Sequence, residues 1–152
     1  MSKPIPERAV ELFMEGFNCS QAVFGAFAET VGMTQAQAVR LSAALGAGVA
    51  RMRDVCGAVS GGMLAIGWKY GAEDGADQAT KAACYARGQK ICLAFQEKFG
   101  TLICRDLLKL KPLEGPSPIP TPRTAEFYQT RPCAQFVYEM ARLVEEELKD
   151  EE

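Results

Sequence analysis

The segment Arg51–Gly62 constrains the fold more than any other part of this sequence. Gly57, Gly61 and Gly62 place three glycines within six residues of a stretch that otherwise fits a helix. Glycine lowers helix propensity, but it lets another backbone approach closely. We therefore expect a helix here with a second backbone segment packed tightly against its first turns.

The start of this helix also carries a thiol. Asp54 can accept hydrogen bonds from the unpaired amides of a first helical turn, which predicts Asp54 as the N-cap and Cys56 as the second helical residue. Arg51 and Arg53 precede the thiol and supply positive charge. A helix start and cationic neighbours both favour thiolate over thiol, so Cys56 is a candidate nucleophile.

Length and composition indicate an ordinary globular chain. The 152 residues fit a single domain, 1–152, with a core of normal size. A hydrophobic fraction of 48% and a formal net charge of -2 exclude the basic character expected of a nucleic-acid-binding protein. The apolar stretches are too short for a membrane span, and the first residues lack the apolar core of a signal peptide, which predicts a cytoplasmic location.

The six cysteines and the absence of histidine narrow the chemistry. Without histidine the chain cannot use a Ser-His-Asp or Cys-His catalytic arrangement, a mixed Cys/His zinc site or histidine ligation of haem. Cytosolic thiols are normally kept reduced, so cysteines in such a chain indicate metal binding, catalysis or redox sensing before static disulfides.

The pattern along the chain predicts an all-α fold, a compact bundle of about six to seven helices. Proline, capping-box, glycine and apolar-spacing signals mark the helix boundaries. The expected helices cover residues 6–14, 19–31 (capped by Asn18 with Gln21), 35–45 (capped by Thr34 with Gln37), 55–70, 76–99, 102–110 (capped by Thr101) and a last helix from 131 onward.

A proline-rich strap precedes the last helix. Residues 112–122 hold five of the eight prolines and cannot form a helix or a central strand. The chain beyond the strap is too short to fold alone, so we expect an extended surface segment and not a domain boundary.

The predicted helices divide the cysteines into two groups. Cys84 and Cys92 fall inside a helix on an apolar face, where a cysteine usually packs as a small hydrophobe. The other four fall in the first turn of a predicted helix, where unpaired amides favour the thiolate. These four candidate site residues are Cys19, Cys56, Cys104 and Cys133.

The same residues belong to a wider pattern. Gly16-Phe17-Asn18-Cys19-Ser20-Gln21, Cys56-Gly57-Ala58-Val59-Ser60-Gly61, Phe99-Gly100 with Cys104-Arg105-Asp106, and a lone Cys133 together resemble the C-GCAxxG-C-C family of redox-active proteins. The resemblance spans about Gly16 to Met140. It implies four characteristic cysteines, which map onto Cys19, Cys56, Cys104 and Cys133. The family motif is written Gly-Cys-Ala where this chain has Cys-Gly-Ala, and the resemblance implies a redox class without a particular reaction.

Three functions of different classes fit these features. In the first, the helix-start cysteines perform thiol-disulfide or electron-transfer chemistry with a redox partner protein or a small thiol or oxidant. In the second, the four thiolates bind zinc or an iron-sulfur cluster, although structural zinc ligands usually come in closely spaced pairs. In the third, the chain is a non-catalytic helical interaction protein, in which the strap docks on a partner or on a second copy of the chain. No cofactor follows from the sequence itself.

The redox hypothesis makes two structural demands. Cys56 should be the attacking thiolate, more reactive than Cys84 near neutral pH, because of its helix start and the arginines beside it. The four helix starts must also meet in space, which the sequence leaves open together with the pairing of the cysteines.

Overall fold

A computed structural model describes residues 3–110 and 117–149. Within them the fold is all-α, as predicted, and its helices are α1 (Ile5–Met14), α2 (Cys19–Ala26), α3 (Gln35–Ser42) with a short 3₁₀ turn (Ala43–Leu45), α4 (Gly57–Tyr70), α5 (Gln78–Phe99), α6 (Cys104–Leu107), α7 (Ala125–Thr130) and α8 (Cys133–Lys149).

Two predicted capping boxes form as the sequence indicates. The side chain of Asn18 accepts from the backbone N–H of Gln21, and the Gln21 side chain accepts from the N–H of Asn18. Thr34 and Gln37 form the same reciprocal pair at the start of α3. Each box satisfies two donors that the first helical turn leaves unpaired.

Helices α2, α4 and α8 form the centre of the molecule. Helix α2 packs against α1, α3, α4 and α8, while α5 covers the far side of α4 and α8. Large side chains with almost no solvent exposure fill the space between them, among them Phe13, Phe27, Phe95, Ile66 and Met140. These residues belong to one hydrophobic cluster of the described chain.

Ion pairs outside the core connect α8 to α5. The buried carboxylate of Glu147 pairs with Arg87 and Lys90, and that of Glu139 pairs with Lys98 and with Arg142 on its own helix. Buried charges that lack a partner are costly, so this pairing is expected.

Several predicted boundaries are wrong. Helix α2 ends at Ala26 and not at residue 31, although Phe27 and Val31 are buried as their spacing indicates. Helix α5 begins at Gln78, because Asp77 accepts from the N–H of Thr80 and so serves as the N-cap. The predicted helix 102–110 shortens to α6, with Ile103 in place of Thr101 as its N-cap.

The sequence also missed helix α7. It lies between the strap and the last helix, where no secondary structure was predicted. Thr124 caps it by accepting from the N–H of Phe127. Of the predicted strap, residues 112–116 lie outside the described residues, and 117–122 have no regular secondary structure.

The length and apolar character of a helix decide whether it can cross a membrane. None of the helices in the described ranges has both the length and the apolar character that crossing a membrane would require.

Candidate functional site: a cavity lined by four thiols

The four helix-start cysteines line one cavity of about 360 Å³. Cys19, Cys104 and Cys133 are the first residues of α2, α6 and α8, and Cys56 is the N-cap of α4. Four helix starts that are far apart in the sequence therefore meet at one place. The convergence that the sequence left open is present in the structure.

The glycines of α4 allow the start of α2 to approach. A Cβ atom built on Gly61 would lie 2.6 Å from the backbone oxygen of Ser20, and one on Gly57 would lie 3.1 Å from the backbone nitrogen of Ser20. Further along, a Cβ on Gly62 would lie 2.9 Å from Met140 of α8. The expected close backbone neighbour is thus the helix start that carries Cys19.

A short backbone bridge positions Cys56 and Cys104. Val55 and Ile103 form an isolated antiparallel β-bridge. The N–H of Cys56 donates to the carbonyl of Leu102 at 2.8 Å, and the N–H of Cys104 donates to the carbonyl of Asp54 at 2.6 Å. The two thiols thus follow directly after the two bridge residues.

This bridge explains why the predicted cap is wrong. Asp54 lies in the paired segment, and its side chain does not cap α4; Cys56 itself occupies the N-cap position, with an extended ψ of 132°. Cys56 is consequently not the second helical residue. The bridge joins residues almost fifty positions apart, so the local sequence around Cys56 gives no sign of it.

Cys19 and Cys133 form the second pair. The side chains of Cys19 and Cys133 lie within hydrogen-bonding reach of each other. This interaction lowers the pKa of Cys133, as do the positive charges of Arg131, Arg123 and Arg53. For Cys19 the interaction with Cys133 and burial raise the pKa well above its usual value. The arginines act on Cys133, so Cys133 is the member of the pair whose pKa is lowered.

Cys56 behaves in the opposite way to the prediction. Burial raises the pKa of Cys56 to about 12. The backbone N–H groups of Ala58 and Val59 do donate to its sulfur and lower that pKa, as expected at a helix start. Desolvation of the thiolate outweighs them. The prediction that its helix start and the neighbouring arginines lower the pKa of Cys56 is therefore wrong.

The contacts of Arg51 and Arg53 also differ from those expected. Arg53 is 7% exposed, and its Nη1 donates to the sulfur of Cys104 at 3.6 Å, not to that of Cys56. Burial raises the pKa of Cys104, and Arg53 opposes that effect. Arg51 donates to the Ser117 carbonyl and the Thr121 hydroxyl, which joins this loop to the described end of the strap.

The loop that carries these arginines has an unusual backbone. The five consecutive residues 47–51 have positive φ angles between 49° and 76°, and Arg53 has a φ of 63°. Only Gly48 among them tolerates this conformation at no steric cost, so the loop stores strain of roughly 1–2 kcal/mol for each of the others. Hydrogen bonds within the loop, such as Asp54 N–H to the Gly48 carbonyl at 2.8 Å, hold it in place.

Arg123 is a cavity residue that sequence reasoning missed. Its guanidinium donates to the carbonyls of Phe13 at 2.8 Å and Phe17 at 2.7 Å, at the end of α1. It also lies over the rings of Phe13 and Phe127. The signal in the sequence is weak, because a single arginine after a proline-rich stretch gives no indication of contacts more than a hundred residues away.

Cys84 and Cys92 do not reach the cavity. Both are half-buried residues of α5 that pack against the hydrophobic core, and burial raises the pKa of Cys92. Their predicted place in a helix interior is confirmed. This separates them in space from the four cysteines at the helix starts.

The arrangement of the thiols and carboxylates bears on the metal-binding alternative. In the parts of the chain that the structure describes, no group of three cysteine, aspartate or glutamate side chains is arranged to hold a metal ion. The four thiols share a cavity without forming a ligand cluster, and their two pairs have different neighbours.

The fold and site therefore define an all-α protein with four cysteines at converging helix starts. The family described as "Putative redox-active protein (C_GCAxxG_C_C)" matches residues 17–147, so the chain belongs to this family. No curated protein and no solved structure matches the chain significantly.

Proposed function

We propose that this protein performs thiol-disulfide exchange in the four-cysteine cavity, with Cys133 as the attacking thiolate and Cys19 as the resolving thiol. The observation that carries the proposal is that Cys19 and Cys133 line one cavity together with Arg53, Arg123 and Arg131, whose positive charges lower the pKa of Cys133. A thiolate attacks a disulfide, and a second thiol within reach completes the exchange. The redox class of the family supports the same chemistry.

The reaction has two steps. The Cys133 thiolate attacks one sulfur of a substrate disulfide, forms a mixed disulfide and releases the other half of the substrate as a thiolate. Cys19 loses its proton to solvent or to the departing thiolate and attacks the Cys133 sulfur, which releases the second half. The substrate disulfide gains two electrons, the protein gains a Cys19–Cys133 disulfide, and an external dithiol must reduce that disulfide for another turnover.

Cys56 and Cys104 have a different place in this scheme. Burial keeps both thiols protonated near neutral pH, and the backbone bridge fixes their positions. Protonated thiols in the cavity wall do not compete with Cys133 for the substrate.

Disulfide mapping tests this proposal. The reduced protein is treated with bis(2-hydroxyethyl) disulfide, free thiols are counted, and the digested product is mapped by mass spectrometry. We expect two thiols to be lost, with Cys19 and Cys133 joined. Cys19→Ser should stop at a mixed disulfide on Cys133, Cys133→Ser should not react at a comparable rate, and Cys84→Ser should behave as the unmodified chain.

Two outcomes would contradict the proposal. One is an oxidised product in which Cys56 carries the first modification. The other is an unchanged reaction rate in the Cys133→Ser variant, with circular dichroism confirming that this variant is folded.

A further inference from the structure

The charge of the cavity wall differs from that of the whole protein. Four arginines line the cavity, Arg51, Arg53, Arg123 and Arg131, and the described residues around it include no aspartate or glutamate. The chain as a whole has a net charge of -2. Positive charge is thus concentrated around the thiols.

These arginines have no oppositely charged partner among the described residues, whereas the buried charges elsewhere in the described chain do. Glu139 and Glu147, the buried carboxylates of α8, each form ion pairs with basic side chains. In the described chain no carboxylate pairs with the cavity arginines. Arg53 is 7% exposed and contacts the Cys104 sulfur, while Arg131 lies over the ring of Phe127 with its centre 5.4 Å from the ring centroid.

The arginines are also close enough to repel one another. Burial lowers the pKa of Arg51, and so do the positive charges of Arg53 and Arg131. A cluster of like charges in a partly dehydrated cavity is unfavourable unless a negative charge enters it. The Cys133 thiolate supplies one negative charge against four guanidinium groups.

We propose that the cavity selects small disulfides that carry carboxylates or similar anionic groups, with Arg53 and Arg131 binding the anionic groups while the disulfide lies against Cys133. This assignment of a substrate class rests on the proposed thiol-disulfide function. A guanidinium group binds carboxylates through paired N–H donors, and Arg131 is two residues from the attacking sulfur. A cavity of about 360 Å³ suits a small molecule, since small-molecule pockets begin at roughly 300 Å³.

The other two arginines have structural tasks as well. Arg123 uses donors on the carbonyls of Phe13 and Phe17, and Arg51 uses donors on Ser117 and Thr121. They add positive potential to the cavity but have fewer donors left for a ligand. Arg53 and Arg131 are therefore the residues whose removal should change substrate selection.

Three small disulfides of different charge test the inference: 3,3′-dithiodipropionate (a dianion), bis(2-hydroxyethyl) disulfide (neutral) and cystamine (a dication). The rate of Cys19–Cys133 oxidation by each is divided by its rate with 1-thioglycerol, a neutral thiol that differs from the thiols of all three disulfides, which removes intrinsic reactivity. We expect the dianion to exceed the neutral disulfide by about 10-fold or more and cystamine to be the slowest, and 0.5 M salt should reduce the difference.

Variants of the arginines show which residues produce the preference for anionic disulfides. Arg131→Gln and Arg53→Gln should each reduce the dianion-to-neutral ratio several-fold. This ratio is independent of the fraction of Cys133 that is ionised, so it separates ligand binding from the effect of the arginines on the thiol. Arg40→Gln is the matched control, because it removes one positive charge from the exposed end of α3, and its ratio should equal that of the unmodified chain.

A ligand without a disulfide separates this inference from the proposed function. Binding of 3,3′-thiodipropionate, which cannot be reduced, is measured by calorimetry on the reduced protein and should weaken in Arg131→Gln. Equal normalised rates for the three disulfides together with no thiodipropionate binding would overturn the inference while the exchange reaction stands. Thiodipropionate binding without oxidation by any of the disulfides would overturn the proposed exchange and support the anionic ligand class.

Discussion

Two pairs of cysteines line the same cavity, and their chemistry differs because different structures hold them. Cys19 and Cys133 are the first residues of α2 and α8, two of the central helices, and their side chains lie within hydrogen-bonding reach of each other. Cys56 and Cys104 follow the two residues of a backbone bridge. Only the first pair contains a thiol whose pKa is lowered.

The difference teaches that a helix start does not by itself activate a thiol. Cys56 receives hydrogen bonds from the first amides of α4, and its pKa still rises to about 12 because of burial. Cys133 is equally inaccessible, at 7% exposure against 4% for Cys56. What distinguishes Cys133 is the interaction with Cys19 and the positive charge of three cavity arginines, which lower its pKa.

The largest expected effect is a difference in alkylation between Cys133 and Cys56. With iodoacetamide at pH 7.4 we expect Cys133 to react about 50-fold faster or more, because its pKa is lowered while that of Cys56 is raised to about 12, and the lower nucleophilicity of the Cys133 thiolate offsets only part of this difference. As the pH falls, Cys133 should keep reacting below the range of an ordinary thiol, since its pKa is lowered. Cys56 should accelerate continuously above pH 9, since its pKa is raised. Peptide mapping after timed quenching measures both rates.

Because Cys133 and Cys56 are similarly buried, a difference between their alkylation rates does not come from a difference in access of the reagent. Unfolded protein in urea provides the reference in which the two rates should converge. Equal rates in the folded protein, or faster modification of Cys56, would reverse the assignment of the two pairs.

A second prediction concerns the backbone contact that brings α2 to the cavity. Gly61→Ala should destabilise the protein by about 1–3 kcal/mol, because the new Cβ would lie 2.6 Å from the Ser20 carbonyl oxygen and push the start of α2 away. It should also slow formation of the Cys19–Cys133 disulfide. Urea unfolding and disulfide mapping provide the two measurements.

Gly67→Ala is the matched control in the same helix. A Cβ at Gly67 meets no atom within 4 Å, and alanine favours helix over glycine, so stability should rise by up to about 1 kcal/mol. Equal loss of stability in the two variants would show that the need for glycine at position 61 does not come from the close approach of α2.

These features also show what the sequence could predict. The capping boxes at Asn18 and Thr34 depend on residues three positions apart, so local chemistry was sufficient to predict them. The glycines of α4 correctly indicated a close backbone neighbour, and the four cysteines at helix starts were recognised from capping signals and from the family resemblance. The all-α fold followed from the same boundary signals.

The errors share one physical cause, which is contact between distant segments. Asp54 fails as a cap because the bridge between Val55 and Ile103 occupies its backbone. The acidity of Cys56 was overestimated because burial is a property of the whole fold. Arg123 was missed because its carbonyl partners belong to the other end of the chain.

The smallest expected effects come from the two capping boxes. Comparing them distinguishes a loss of helix stability from a change in the geometry of the site. Asn18→Ala and Thr34→Ala should each cost about 1 kcal/mol, because each removes the acceptor for the N–H three residues on. Only Asn18→Ala should also slow Cys19–Cys133 disulfide formation, since Asn18 precedes Cys19 and donates to the Ala43 carbonyl at 3.0 Å, which fixes the start of α2 against the 3₁₀ turn beside the cavity. Thermal unfolding and the rate of disulfide formation are measured on both variants. Equal slowing in the two would mean that the site responds to overall stability, whereas slowing in Asn18→Ala alone places the control of the reactive pair at the first turn of α2.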